Sequence, residues 1–278
     1  MKRRCLLLFL LLGMLLLPAA GCSGTPETAE FGGIVWFCHS ASGGTLRVEP
    51  AYDPIGETGR IFRSDLSGKV AVPEEIDGKL VTGLADRAFF GSAETTEVVL
   101  GNAVETIGKE CFYGCTALRT VCLPESIRDC GQNAFSQSGI ESFMIPEGLR
   151  SLGSEDSQPF FGCVSLQEIL VAKENLYYLS ESGVLFSKNK KTLLCYPAEK
   201  KGSAYVISDT VEKLAPGSFS GCAYLQSLTI PASVKKMENR FFGCEALKTL
   251  LVPETQLEDY RENPVLADFT GTLEGYTR

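Results

Sequence analysis

A phenylalanine turn recurs six times along this chain of 278 residues. Its consensus across the copies is Ala-Phe-x-Gly-Cys, and its first phenylalanine advances by 23, 23, 25, 59 and 22 residues. A nearly fixed step in this range predicts a solenoid, because each unit is too small to bury its own apolar residues and has to stack on its neighbours. We therefore expect one elongated repeat domain. The six turns contain Phe89, Phe112, Phe135, Phe160, Phe219 and Phe241.

A short alternating segment after each turn predicts one β-strand per repeat. In the second repeat, Val121 and Leu123 are apolar with one residue between them, and Pro124 ends the segment. Alternation over a few residues is typical of a strand with one buried face, and proline can close a strand but cannot donate a hydrogen bond inside a sheet. Equivalent apolar pairs are Val98 and Leu100, Phe143 and Ile145, Ile169 and Val171, and Leu250 and Val252.

Each repeat continues with two apolar residues three positions apart, as at Val104 and Ile107. This spacing predicts one tight helical or 3₁₀ turn that buries two side chains. The repeat would then consist of a strand, a turn, a short helical piece and a Phe-Gly corner. Parallel strands from successive repeats would lie about 4.8 Å apart along one face.

The order of these features resembles the bacterial BspA-like leucine-rich-repeat family. The resemblance extends from Val70 to about Pro253. It implies an α/β fold in the form of a leucine-rich-repeat solenoid, with one short parallel strand per coil of about 22–23 residues and caps at both ends. It also implies adhesion to, or capture of, a protein or glycan ligand without a cofactor.

The same patterns divide the chain into segments. Solenoid ends need caps because exposed strand edges invite aggregation. A longer coil explains the step of 59 residues. We expect a signal peptide at 1–21, a lipid-anchored tether at 22–30, an N-terminal cap at 31–67, the solenoid at 68–253 with the long coil at about 172–207, and a C-terminal cap at 254–278.

The first 21 residues have the pattern of a secretory signal peptide. Lys2, Arg3 and Arg4 precede an apolar run that ends in small residues. The tetrad Ala19-Ala20-Gly21-Cys22 resembles a bacterial lipobox, which implies lipidation of Cys22 and an exported chain anchored to the cell envelope, facing outside the cytoplasm. Two or more acyl chains suffice for stable anchoring. The alternative is an ordinary cleaved signal peptide that happens to precede a cysteine.

Charge and residue content argue against several functions. The formal net charge is −8, with 34 acidic and 26 basic residues, whereas nucleic-acid binding relies on clustered Lys and Arg. His39 is the only histidine, and the sequence has no phosphate loop, nucleophile elbow or zinc motif. We therefore expect no nucleic-acid partner, no enzyme activity, no metal and no cofactor.

Nine cysteines remain after Cys5 and Cys22 are set aside. Most of them occupy repeat positions that take a small or medium apolar side chain, and a thiol packs as one, so we expect a buried column of thiols. Two alternatives stay open: disulfides, for which Cys222 and Cys244 are the closest equivalent pair in neighbouring coils, and a metal site at Cys111 and Cys115.

Strand alternation also predicts which residues face solvent. With Val121 and Leu123 inward, the residue between them points outward, and the same register defines the outward row. Its residues are mostly apolar, and the row beside it is polar, as in a protein interface. β-propensity alone could also explain the row, or the long coil could cover it with Tyr177, Tyr178 and Leu179. The outward row comprises Ala71, Val99, Cys122, Met144, Leu170, Thr229 and Leu251, and the polar row comprises Thr120, Ser142, Glu168, Ser227 and Thr249.

Together these patterns predict a non-enzymatic surface lipoprotein that binds an extracellular protein or glycan through its repeat face. The membrane would be a second partner, through the lipid anchor. Two alternatives belong to other classes: a carbohydrate-active β-helix enzyme, since coils of about 22 residues also suit that fold, and a purely structural envelope component. A β-helix should show two or three strands per coil and clustered acids on one strand face.

Overall fold

The computed structural model describes residues 27–50, 66–154, 157–238 and 241–277. The expected signal peptide and the expected lipidation site, Cys22, lie outside the described residues. Among the helices that the structure describes, none is long and apolar enough to cross a membrane.

The first described residues form an antiparallel meander at the N-terminal end of the stack. Strand β1 (Glu27–Phe31) pairs with β2 (Ile34–Ser40), a 3₁₀ turn follows, and β2 pairs with β3 (Leu46–Pro50). Trp36 is fully buried, and Ala29 packs against the same core. The prediction of a tether was therefore wrong for residues 27–30, because their backbone pairs with β2.

The other described residues form 19 strands and little helix. Helix α1 has five residues and lies between two 3₁₀ turns near the C-terminal end. In chain order the elements are β4 (Ser67–Ala71), β5 (Glu75–Ile76), β6 (Lys79–Leu84), β7 (Glu94–Val99), β8 (Thr106–Ile107), β9 (Thr120–Cys122), β10 (Asp129–Cys130), β11 (Ser142–Ile145), β12 (Ser151–Leu152), β13 (Glu168–Val171), β14 (Tyr178–Glu181), β15 (Val184–Ser187), β16 (Thr192–Cys195), β17 (Ala204–Val206), β18 (Lys213–Leu214), β19 (Ser227–Thr229), β20 (Lys236–Met237), β21 (Thr249–Pro253), α1 (Leu257–Arg261) and β22 (Thr272–Tyr276).

The regular coils contribute two strands each, which belong to two separate parallel stacks. The longer strands pair in the orders β4–β7–β9, β11–β13 and β17–β19–β21–β22. The two-residue strands continue from β3 and β6 in the order β8–β10–β12, and β18 and β20 continue in the same way from the four-residue strand β16. This arrangement confirms the predicted leucine-rich-repeat solenoid. The second stack adds to the one strand per coil that the sequence predicted.

The segments expected to form helical turns are the strands of this second stack. Val104 and Ile107 are both buried, as predicted, but Ile107 lies in β8. The backbone explains the difference: the N–H of Arg128 donates to the carbonyl of Glu105 at 2.8 Å, and the N–H of Arg150 donates to the carbonyl of Arg128 at 2.8 Å. Donors that bond to the preceding coil are not available for a helical bond within their own coil.

The first phenylalanine of each turn is buried. The rings of Phe89 and Phe112 stack with centroids 5.3 Å apart, and those of Phe112 and Phe135 with centroids 5.5 Å apart. These separations fall in the range of favourable aromatic pairs. In the long coil, Tyr196 takes the place of phenylalanine and stacks on Phe219 at 5.3 Å.

The long coil contains an antiparallel meander that separates two hydrophobic clusters. Strand β14 pairs with β15 and β15 with β16, and β16 then joins the second stack by pairing with β18. Leu185 belongs to the N-terminal cluster and its neighbour Phe186 to the C-terminal one. The N–H of Leu152 donates to the Tyr178 hydroxyl at 3.0 Å, so the meander also contacts the edge of β12.

At the C-terminal end, β22 extends the stack of longer strands by pairing in parallel with β21. Helix α1 precedes β22, and Tyr260 and Leu266 bury their side chains in the second cluster. The residues expected to cap this end therefore contribute one more strand as well as cover for the core.

Candidate binding face

The outward row lies on the longer strands, and hydrogen-bonded pairing brings its members side by side in three blocks. Ala71 pairs with Val99 and Val99 with Cys122; Met144 pairs with Leu170; and Thr229 pairs with Leu251.

The two central members of the outward row are both exposed. Met144 is 52% exposed and Leu170 is 39% exposed. Their neighbours along the strand, Phe143 and Ile169, are buried, so buried and exposed side chains alternate in these two strands. Ala71 and Cys122 are also exposed, whereas Val99, Thr229 and Leu251 are half-buried.

The long coil does not place Tyr178 or Leu179 over the row. The Tyr178 hydroxyl accepts its hydrogen bond from β12, in the other stack, and Leu179 packs against the second cluster. Tyr177 remains exposed. The alternative in which Tyr178 and Leu179 cover the outward row was therefore wrong, because the meander of β14, β15 and β16 forms a separate layer of the stack.

The turn between β14 and β15 interrupts the row next to its centre. The N–H of Ile169 donates to the carbonyl of Gly183 at 3.0 Å, and the Ser180 hydroxyl donates to the carbonyl of Ile169. Strand β13 therefore meets this turn at the edge where a regular coil would place the next long strand. Met144 and Leu170 form a separate two-strand surface as a result.

The structure adds Val206 to the row. The sequence patterns did not predict this residue. Val206 pairs with Thr229 and is 59% exposed. No Phe-Gly corner precedes it, so the repeat gave no register for this strand. The available signal was local: Tyr205 and Ile207 are apolar on either side of it and end on the inner face.

Polar and charged side chains accompany the apolar row. In the polar row, Ser142 pairs with Glu168 and Ser227 with Thr249. An ion pair joins Arg119 and Glu141 at 3.3 Å next to this row. An exposed apolar centre with polar neighbours is the usual composition of a protein interface.

A concave surface lies along the short strands and was not expected from the sequence. This groove has a volume of about 510 Å³, and its charged residues include Arg47, Asp86, Lys109 and Asp129. Arg47 lies 3.6 Å from Asp86, the backbone N–H of Lys109 donates to Asp86, and Arg150 pairs with Asp129 at 3.0 Å. Because these charges already have partners, the groove offers a ligand less than the unpaired apolar row does.

Several turns also present a second aromatic residue at the surface. Phe90 stacks on Tyr113 with centroids 5.2 Å apart and planes 5° apart. Phe161 lies 5.7 Å from Phe242, which is 69% exposed. The residue directly after the buried phenylalanine thus faces out at several corners.

The cysteines mostly occupy buried repeat positions. Among the described residues, no two cysteines are joined by a disulfide; seven of the nine thiols are buried, Cys122 is exposed and Cys244 is half-buried. Burial raises the pKa of Cys115 to about 12 and that of Cys163 to about 11. Buried neutral thiols of this kind are poor nucleophiles and poor metal ligands.

His39 lies in the N-terminal meander, where its Nε2 is 2.9 Å from a carboxylate oxygen of Glu49. The described residues contain no group of three or more His, Cys, Asp and Glu side chains placed to hold a metal ion.

The fold is that of a leucine-rich-repeat solenoid with an exposed apolar row on its longer strands. A model of the BspA-type leucine-rich-repeat region matches residues 82–194 and 195–263 in six copies. Because this match covers well over half of the sequence, the chain belongs to the BspA-type leucine-rich-repeat family. The number of strands per coil does not distinguish the chain from a β-helix, because its regular coils have two strands each. Membership of the family makes that distinction.

Solved structures of bacterial repeat proteins are similar. The pneumococcal vaccine antigen PcpA is 18% identical, with a TM-score of 0.52 over 83% of this chain and 82% of that one. A leucine-rich cell surface protein from Faecalibacterium prausnitzii is 16% identical, with a TM-score of 0.47 over 83% and 84% of the two chains. A leucine-rich-repeat protein from Eubacterium ventriosum is 19% identical, with a TM-score of 0.49 over 83% and 73%. None of the curated proteins compared with the sequence matches it.

Proposed function

We propose that this chain is a non-enzymatic surface protein that binds an extracellular protein or glycan through the outward row. The observation that carries the proposal is the paired, exposed position of Met144 and Leu170 on adjacent strands. A contiguous exposed apolar area marks interaction sites more often than it occurs on inert surfaces. The polar row beside it suits the rim of an interface.

Two features support binding as opposed to catalysis. None of the seven outward-row residues predicted from the sequence is a histidine or an acid. Hydrolysis of a glycoside, in contrast, calls for two carboxylates on either side of the glycosidic bond. The charges in the groove along the short strands are largely paired with one another. A carbohydrate-active enzyme is therefore not the function that we propose.

Export and lipid anchoring form the second part of the proposal. They rest on the charged and apolar pattern of residues 1–21 and on the cysteine that follows it. Growth of the producing cells with a labelled fatty acid tests this part: label should enter the wild-type protein and be lost in Cys22→Ala. Label that persists in Cys22→Ala, or that never enters the wild type, would contradict lipidation at this residue.

A binding screen tests the main proposal. The chain from residue 23 onward is presented to arrays of extracellular proteins and of glycans, and hits are measured again with Met144→Lys and Leu170→Lys. Loss of an apolar anchor and introduction of a charge at the centre of an interface should weaken binding at least about tenfold for each variant. The two arrays separate a protein ligand from a glycan.

Val164→Lys is the matched control, because Val164 is an exposed apolar residue at a corner and not on the row. Circular dichroism of all three variants confirms that the solenoid is retained. Unchanged binding in Met144→Lys and Leu170→Lys would contradict the proposal. A screen that returns no specific ligand would favour a purely structural envelope protein.

A further inference from the structure

One position in the Phe-Gly-Cys corner forms a column through successive coils. The backbone N–H of Gly139 donates to the carbonyl of Cys115, and the N–H of Ala223 donates to the carbonyl of Ala198 in the same way. The column can therefore be followed through the long coil, where Ala198 takes the place of serine or cysteine. From the N-terminal end it comprises Ser92, Cys115, Ser138, Cys163, Ala198, Cys222 and Cys244.

One pair of neighbours in this column has its side chains in contact. The Oγ of Ser138 lies 3.5 Å from the Sγ of Cys163, one coil further on. Serine alternates with cysteine through the first four members, and alanine follows. Cys222 and Cys244 are thus the one place in the described column where two thiols are immediate neighbours.

The local geometry brings these two sulfurs together. The Cys222 thiol donates to the carbonyl of Phe219 at 3.3 Å, and the Cys244 thiol donates to the same carbonyl oxygen. The adjacent backbones are in register, since the N–H of Gly221 donates to the carbonyl of Phe242 at 2.8 Å. Strands and turns stacked at this spacing have Cα atoms about 5 Å apart, within the range that a disulfide bridges.

The two thiols differ in access and in acidity. Cys222 is fully buried, whereas Cys244 is half-buried and can be reached from solvent. Interaction with the Cys222 side chain lowers the pKa of Cys244, and the same interaction together with burial raises the pKa of Cys222. A thiolate is the attacking species in disulfide exchange, so Cys244 is the residue that an oxidant meets first.

We propose that Cys222 and Cys244 form a disulfide between neighbouring coils when the protein meets a disulfide oxidant. The Cys244 thiolate attacks one sulfur of the oxidant, which breaks its S–S bond and releases one thiolate. Cys222 then loses its proton and attacks the Cys244 sulfur, which forms the new S–S bond and releases the second thiolate. The protein loses two protons and two electrons, and the oxidant gains both to become two thiols. The bond would tie the last Phe-Gly-Cys coil to the one before it.

Oxidised glutathione acting on the folded chain tests this proposal. Cys122→Ser is the background, because it removes the exposed thiol that would form adducts of its own. After oxidation, blocking of remaining thiols and proteolysis, mass spectrometry should find a peptide cross-link between Cys222 and Cys244. Reduction should lower the thermal midpoint by about 5–10 °C, as expected for one disulfide in a chain of this size.

Two further variants separate the proposal from general oxidation. Cys222→Ser should retain one glutathione on Cys244 and lose the redox dependence of the thermal midpoint. Cys163→Ser, whose nearest column neighbour is Ser138, should still form the cross-link. The proposal would be overturned if the thiol-blocking agent were found on both Cys222 and Cys244 after oxidation, since both would then have stayed reduced. A Cys222→Ser variant that takes up no glutathione would also overturn it.

Discussion

Asn175 is fully buried at the start of the long coil, and its amide lies within hydrogen-bonding distance of five backbone groups. The two hydrogens of the Nδ2 group are shared among the carbonyls of Pro146 and Leu149, at 2.8 Å each, and that of Glu147, at 3.2 Å. The Oδ1 atom accepts from the backbone N–H groups of Tyr177 and Tyr178 at 2.9 and 2.8 Å. One side chain therefore fixes the point at which the chain leaves the regular repeat.

Replacing this amide should be costly. Asn175→Ala leaves buried carbonyl and N–H groups without partners, and each unsatisfied group costs about 1–3 kcal/mol. We expect the free energy of unfolding to fall by at least about 3 kcal/mol in urea titrations. Asn189→Ala is the control, since Asn189 is exposed and accepts hydrogen bonds within its own turn. Equal stability of the two variants would contradict this role for Asn175.

Gly131 allows two coils to approach closely next to β10. A Cβ atom at this position would lie 2.4 Å from the backbone nitrogen of Lys109 and 2.6 Å from the carbonyl carbon of Gly108. Backbone atoms in a stacked coil cannot move aside as a flexible side chain can. The glycine is therefore required by the spacing of the coils.

Gly131→Ala should lower the free energy of unfolding by about 1–3 kcal/mol, because it forces the two coils apart. Gly101→Ala is the matched control: its Cβ would first meet the side chain of Glu74, at 3.0 Å. Thermal unfolding of both variants gives the comparison. A Gly131→Ala variant as stable as the wild type would show that the coils can relax without cost.

The sequence predicts whether some side chains face solvent or the core, but not all of them. Alternation around Val121 was enough to place Cys122 outside, because side-chain direction in a strand has a period of two. Nothing in the sequence marked Asn175, since an asparagine in a loop is usually a turn residue on the surface. The surface position of Phe242 was missed because the motif repeats as a unit. Repetition alone does not show that the first aromatic residue of a turn is buried and the one after it is exposed.

The turns form a structural element in which buried thiols take the place of small apolar residues. Cys163 is buried, and its thiol donates to the carbonyl of Phe135 at 3.0 Å. Burial raises the pKa of Cys163 to about 11, from 9.0 for an ordinary thiol. The folded state therefore holds the proton at a pH at which the unfolded chain releases it.

This difference predicts a loss of stability in alkali. A pKa raised on folding contributes stability that is fully present below the unfolded value and is lost as pH rises through the folded value, which here means between about pH 9 and 11. Each such thiol should steepen the loss by about 1.4 kcal/mol per pH unit in that window.

Urea unfolding at pH 8 to 11 measures this loss of stability. Cys163→Ala should show a shallower decline with pH than the wild type, whatever its stability at neutral pH. Cys122→Ala, which removes an exposed thiol, is the control. A decline as steep in Cys163→Ala as in the wild type would rule out this thiol as a source of the pH dependence.

The short strands were the element that the sequence predicted wrongly. Two apolar residues three apart, such as Val104 and Ile107, fit a helical turn, but they also fit a turn followed by a strand. The choice depends on whether backbone groups bond within the coil or to the next one. Local periodicity does not contain that information, because the partner of Arg128 is a residue of the preceding coil.

For the whole molecule, the step between turns determined the architecture, and an irregular step marked where it changes. The gap of 59 residues contains the antiparallel meander of β14, β15 and β16, which could not be derived from the repeat. Packing of Leu185 and Phe186 into different clusters shows why: the meander is shaped by the two cores on either side of it. Val206 was missed for the same reason.

The position of the meander also shapes the candidate binding face. It separates the strands of Met144 and Leu170 from the C-terminal block that begins with Val206. Because the row is divided, we expect a ligand to contact its central block most strongly, where two exposed apolar side chains lie on adjacent, paired strands.

Contact between the ligand and this central block is the most direct test. A photoreactive amino acid is placed at position 144, 170 or 164, and each protein is irradiated with the ligand that the binding screen identifies. We expect covalent capture from positions 144 and 170 and none from the corner position 164. Capture from position 164 alone, with binding retained and none from position 144 or 170, would contradict this expectation.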